Sequence, residues 1–196
     1  IQKYLKEVTS WVDPLKELQC LGFVNRDIWG IAVKSNAPFN TIPEFIKYLK
    51  DHPGGKVSDA GIGTTYHWGW EKFMSQCGVK VTTIAYPGTA DALKALAGGE
   101  LLAASTAAPE AAPLMAAGMI KVLGIAAEER SSVYPTIPTF KEQGVNFLYD
   151  TNRCVISAAG TPEAIVAKLS DAVKVAYNSE SYQNFLKKTG YGGFYL

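Results

Sequence analysis

Hydrophobic and polar positions in this chain switch repeatedly between strand-length apolar runs and stripes at helical spacing. "QCLGFV" and "DIWGIAVKS" are aromatic and β-branched runs that read as strands. In "TIPEFIKYLKDHPGG" the period changes: Ile42, Phe45, Ile46 and Leu49 share one face, Thr41 and Glu44 make a capping box, and Pro53-Gly54-Gly55 ends the helix. "KVSDA" is a short strand. The helix after Gly63 places Trp70, Phe73, Met74 and Cys77 on one stripe.

The alternation continues. "VKVTTIAY" reads as a strand, and "GTADALKALAGG" as a helix with Leu93, Leu96 and Ala97 inward. "ELLAAS" and "MIKVLGIAA" read as strands around the helix "PEAAPLMAAG". Beyond Pro135 and Pro138, "TFKEQG" predicts a short helix and "NFLYDTNRCVISAA" a strand. "GTPEAIVAKLSDAVKVAYN" is the longest helix, with Thr161 as N-cap, Pro162 at its first position and Ile165, Leu169, Val173 and Ala176 inward. "ESYQNFLKKTG" closes the series. Strand–helix alternation at this spacing predicts an α/β protein with a largely parallel sheet, in which ligands sit beyond the carboxyl ends of the strands.

Four strand-to-helix loops carry chemistry there. In "GIGTTYH", Gly61 and Gly63 allow close approach of backbone, Thr64 or Thr65 caps or donates a hydroxyl, and His67 falls in the first turn. The helix dipole disfavours a charged imidazole there, so His67 is expected as a neutral hydrogen-bonding group. In "AYPGTADAL", Tyr86 ends a strand, Pro87-Gly88 turns, and Thr89 starts a helix, repeating the same device. In "AASTAAPEA", Ser105 and Thr106 end a strand. In "YDTNRCV", Arg153 is read as the one arginine flanked by strand residues, able to hold a carboxylate with two parallel bonds or to pair with an acid such as Asp150. Each loop also has a plain reading as a tight turn and helix cap.

Composition narrows the function. The net charge of +1 with no basic run gives no footprint for nucleic acid. No apolar stretch reads as a membrane span, no secretory signal is visible, and the opening "IQKYLKEVTSWVDPLKEL" reads as the interior of a domain. Cys20, Cys77 and Cys154 lack the spacing of a zinc site and read as small buried hydrophobes. No nucleotide P-loop, GxSxG or HExxH occurs, so no cofactor, metal or catalytic residue is expected.

Four segments, in order and spacing, resemble the extracytoplasmic solute-binding proteins of tripartite tricarboxylate transporters, the TctC-like or Bug receptors. They are "APFNTIPEFIKYLKDHPGGKVSDAGIGTTYHW", "YPGTADALKALAGGEL", "AAEERSSVYPTIPTFKEQGV" and "AAGTPEAIVAKLSDAVKVAY". The resemblance implies a type II periplasmic-binding-protein-like α/β fold with two lobes, central mixed but mainly parallel sheets, and an incomplete first lobe. Residues 24–149 would form the second ligand-binding lobe, with 1–23 and 150–196 the remaining part of the first.

It further implies a non-enzymatic receptor, periplasmic or extracytoplasmic, that captures a small organic acid and delivers it to membrane permease subunits. Neither nucleic acid nor membrane insertion is implied. Gly61, Gly63, Thr64, Thr65, His67, Tyr86, Gly88, Thr89, Thr106 and Arg153 are the implied ligand contacts. Thr106 stands where many members carry aspartate, Leu102 where another acid is usual, and Cys154 replaces a glycine. The Pro- and Gly-rich first-lobe loop of the family has no match in this sequence. The competing readings are a ligand-sensing module of the same fold and an α/β enzyme using His67.

Overall fold

The computed structural model describes residues 13–59, 61–193 and 195. Residues 1–12, part of the first-lobe expectation, lie outside the described residues. The chain divides into two compact units, Ile28–Asp150 and the pair Ile1–Asp27 with Thr151–Leu196.

Unit Ile28–Asp150 is built on a five-stranded sheet. Its strands are β2 (Gly30–Lys34), β3 (Gly55–Asp59), β4 (Val81–Ala85), β5 (Ala103–Thr106) and β6 (Ile120–Ile125), in the order β4-β3-β5-β2-β6. β3 is parallel to β4 and β5, whereas β2 is antiparallel to β5 and β6. Four strands therefore run one way and β2 alone opposes them. In this unit the chain adopts the mixed, mainly parallel α/β sheet expected from the sequence.

Helices α2 (Ile42–Asp51), α3 (Thr65–Cys77), α4 (Thr89–Gly98) and α5 (Ala108–Ala116) cover the sheet. Strand alternation sorts the core into two layers. Ile31, Val33, Val57 and Ala103 join Phe45 of α2 and Trp70 and Phe73 of α3, while Ala32, Ala104 and Val122 join Leu93 and Leu96 of α4 and Ala111 of α5. Trp29, at the entrance to β2, is the hub of the aromatic layer, edge-on to Trp70 at 5.2 Å and 5.5 Å from Phe147.

The "ER…YPTIPTFKEQG" segment of this unit folds as turns, correcting the short helix expected over "TFKEQG". Thr139 and Glu142 do make a reciprocal capping pair, Glu142 N to Thr139 Oγ1 at 3.0 Å and Thr139 N to Glu142 Oε2 at 2.8 Å. Propagation stops because the neighbouring side chains bond elsewhere. Gln143 accepts from Ile42 N and donates to the Leu123 carbonyl, and Arg130 holds both Glu142 oxygens.

The other unit carries β1 (Leu18–Ile28, its last residue beyond the division), β7 (Asp150–Ala158, its first residue likewise) and β8 (Gly192–Gly193), ordered β7-β1-β8. Its helices are α1 (Pro14–Glu17), α6 (Glu163–Tyr177) and α7 (Glu180–Thr189). Three expectations are corrected here. α6 begins one residue late: Pro162 is its N-cap, and the Thr161 hydroxyl turns back to the Ala158 carbonyl instead of capping. The stripe expected to face inward does not, because no described element covers it; Ile165 is 50% and Leu169 41% exposed. Cys20 and Cys154 are likewise exposed, and Cys77 is half-buried.

Candidate functional site

Parallel pairing brings three strand ends to one edge of the sheet. Asp59 is registered with Ala85, and Ser58 with Ala104, so β3, β4 and β5 all finish there and α3, α4 and α5 all start there. The two glycine loops, residues 61–64 and 86–88, are therefore neighbours.

The three helix starts differ in how their leading amides are satisfied. At α3, Gly61 and Gly63 take the left-handed conformation (φ 112° and 77°) that favours glycine. The Thr64 hydroxyl donates to the Gly61 carbonyl at 2.7 Å and accepts from His67 N at 3.4 Å. At α5, the Glu110 carboxylate accepts from Ala107 N at 3.0 Å and from the Tyr66 hydroxyl at 2.6 Å, joining the first turns of α3 and α5. At α4 the N-cap is Gly88, with extended backbone (φ −173°) and no side-chain cap. Its first-turn amides, Thr89, Ala90 and Asp91, meet no side-chain cap. Space beside Gly88 is also open, with no atom within 4 Å of where a Cβ would stand.

His67 is held by a partner that sequence reading missed. Asp59, 2% exposed at the end of β3, places Oδ2 2.8 Å from His67 Nδ1 and takes the Gly61 amide on Oδ1 at 2.8 Å. A carboxylate accepts, so Nδ1 carries the hydrogen and Nε2 faces outward, 3.8 Å from Glu71 Oε1. The signal was an acid closing a strand just before the glycine turn and eight residues ahead of a first-turn histidine. Tyr66 and Glu110 were missed as well, because their contact joins different loops.

The remaining candidates separate. Tyr86 is half-buried and its amide donates to the Asp59 carbonyl at 3.1 Å; Thr65 and Thr89 are half-buried at their helix starts. Thr106 reaches the same edge but is fully buried, with its hydroxyl donated to the Ala107 carbonyl at 2.9 Å, so it forms floor and not surface. Ser105 is also internal, donating to the Ser58 carbonyl. Arg153 belongs to the other unit. There it pairs with the buried Asp27, not Asp150, and lies 5.8 Å from the Tyr191 ring centre. Nor is it the only strand arginine, since Arg26 stands in β1 with Nε 3.5 Å from Asn152 Oδ1.

Among the described residues, no group of three or more His, Cys, Asp or Glu could hold a metal ion, and no helix is long and apolar enough to cross a membrane. The edge thus presents amide donors and a positive helix end. That is equipment for holding an anion by hydrogen bonds.

The family model described as the tripartite tricarboxylate transporter family receptor, TctC, matches residues 4–196. A protein from Cupriavidus necator, the UPF0065 protein in the gbd 5′ region, is 30% identical over 188 residues, which are 95% of this chain and 57% of that protein. Among solved structures, a Rhodopseudomonas palustris protein with adipate superposes with a TM-score of 0.82 at 26% identity, covering 93% of this chain and 62% of that one. MatC from the same organism, with bound malate, gives 0.82 at 26% identity, covering 95% and 64%. The chain therefore spans less than two thirds of the length of each of these relatives.

Proposed function

This chain belongs to the tripartite tricarboxylate transporter family receptors, and we propose that it captures a small organic acid outside the cytoplasm and presents it to the membrane permease subunits of such a transporter. The observation that carries this reading is the start of α4. Three amides there lack a side-chain cap, next to the capped start of α3 and the Asp59-held His67. The adipate and malate in the two solved relatives supply the ligand class: a carboxylate with its charge spread over two oxygens, matched to paired N–H donors.

In this reading one carboxylate of the ligand takes the Thr89, Ala90 and Asp91 amides. The Thr65 and Thr89 hydroxyls can donate to the same ligand. His67 Nε2, an acceptor while Nδ1 carries the hydrogen, can take a ligand hydroxyl such as that of malate, and Gly61 and Gly63 keep side chains out of the approach. Tyr86 forms the wall between the two loops. The protein binds and releases its ligand without altering it.

The test is an NMR titration of the chain with malate and with adipate. Saturable shifts are expected at the Thr89, Ala90 and Asp91 amides, with a dissociation constant in the millimolar range, about −4 kcal/mol. Adipamide, the neutral counterpart of adipate, should shift nothing. Equal shifts from adipamide, or none from either acid, would defeat the assignment.

A further inference from the structure

Within the unit formed by residues up to Asp27 and from Thr151, β1 and β7 are neighbours. Contacts at both ends set them antiparallel: Ala159 N donates to the Glu17 carbonyl at 2.8 Å, and Arg26 meets Asn152 beyond the other end. Side chains alternate between faces along a strand. Asp27 and Arg153 pair on one face, while Arg26 and Asn152 pair on the other. Counting along each strand from either pair puts Cys20 and Cys154 on the same face, that of Arg26 and Asn152.

The Cys20 side chain is near enough there to act on the Cys154 thiol, and both residues are exposed. We propose that Cys20 and Cys154 are a redox-active pair that closes to a cross-strand disulfide. The inference rests on the geometry of this unit alone, and the extracytoplasmic placement proposed above is where such bonds persist.

The reaction needs a disulfide as oxidant, such as oxidised glutathione. One cysteine, as thiolate, attacks a glutathione sulfur; the glutathione S–S bond breaks and one glutathione thiolate leaves. The second cysteine, deprotonated in turn, attacks the protein sulfur of the mixed disulfide and expels the other glutathione thiolate. Two protein S–H bonds become one S–S bond, while two electrons and two protons pass to glutathione. Burial, and then the neighbouring Cys20, push the Cys154 thiol above its ordinary range, so exchange quickens toward alkaline pH.

Closure would join the strand by which the chain leaves this unit to the strand by which it returns. The loop so closed encloses the whole of Ile28–Asp150, the long-loop case in which a cross-link most restricts the unfolded chain.

The test oxidises the 196-residue chain with glutathione disulfide at about pH 8.5, once folded and once in denaturant, and maps the linked peptides. In the folded chain the Cys20–Cys154 link should dominate, and thiols titrated after denaturation should fall from three to one. In denaturant the three possible links should scatter. Cys77→Ala should leave no titratable thiol after folded oxidation, and the oxidised chain should unfold at higher urea than the reduced one. The same scatter in both states, links between chains, or glutathione caps that persist on Cys20 and Cys154 would each overturn the proposal.

Discussion

The Asp59 carboxylate lies 2.8 Å from His67 Nδ1 and 2.8 Å from the Gly61 amide, so one buried acid ties the end of β3 to both the glycine turn and the first turn of α3. Asp59→Ala would leave two donors without an acceptor where water hardly reaches, since the Asp59 side chain is 1% exposed. The expected loss is about 2–4 kcal/mol. Asp59→Asn should lose about 1 kcal/mol, because the amide oxygen still accepts one of the two bonds. Urea unfolding followed by tryptophan fluorescence reads both, and an alanine variant within about 0.5 kcal/mol of the parent would dismiss the pair as a structural element.

Gly88 lets stability and binding be separated. Its backbone is extended and the space beside it open, so aspartate fits and can cap the first-turn amides of α4. Gly88→Asp should stabilise the chain by a few tenths of a kcal/mol. The same carboxylate would occupy the donors assigned to the ligand and repel it, weakening malate binding at least tenfold, about 1.4 kcal/mol. Undiminished malate shifts in a variant with a raised melting temperature would remove α4 from the site.

What the sequence disclosed was what is local. α2, α3 and α4 were legible because caps and periods act within a turn or two: Thr41 caps α2, Thr64 caps α3 and Gly99 closes α4, all by near neighbours. "TFKEQG" misled because its Thr–Glu capping pair is real, while the side chains that hold it as an isolated turn, Arg130 and Gln143, reach to Pro135, Leu123 and Ile42. Ile165, Leu169, Cys20 and Cys154 misled for a different reason. A stripe or a strand predicts a face, not whether a described neighbour covers it. In the site the loops were legible from glycine and threonine alone. Which helix start stays open was not, because Glu110 reaches α5 from inside while glycine leaves α4 bare.

Glu142 predicts a pH-dependent loop. The Thr139 amide, followed by Arg130, holds its carboxyl below the ordinary value of 4.5. A depressed carboxylate contributes above its unfolded value and loses that contribution as pH falls through the folded one. Protection of the Thr139 amide, corrected for intrinsic exchange, should therefore hold at about pH 6 and drop toward about pH 3. Glu142→Gln, which keeps the shape without the charge, should show reduced protection already at about pH 6 and little further change below it. Parent-like protection in this variant would mean that Arg130 and Glu142 do not order the turn.

Gly69 sets helix propensity against packing. Inside a helix, alanine is favoured over glycine by about 1 kcal/mol. Here an added Cβ would stand 2.4 Å from Trp29 Nε1 and 2.7 Å from Trp29 Cε2. The indole cannot retreat: Trp29 is 2% exposed and wedged among Trp70, Phe73, Phe140 and Phe147. Overpacking of this kind costs about 1–3 kcal/mol, of which the propensity gain offsets about 1 kcal/mol, so Gly69→Ala should lose up to about 2 kcal/mol net. Trp29→Phe frees the space without breaking a hydrogen bond, since Nε1 has no partner. In the double variant alanine should then be tolerated, with a coupling of at least about 1 kcal/mol between the two sites. Additive losses would place the strain of Gly69→Ala somewhere other than the Trp29 contact.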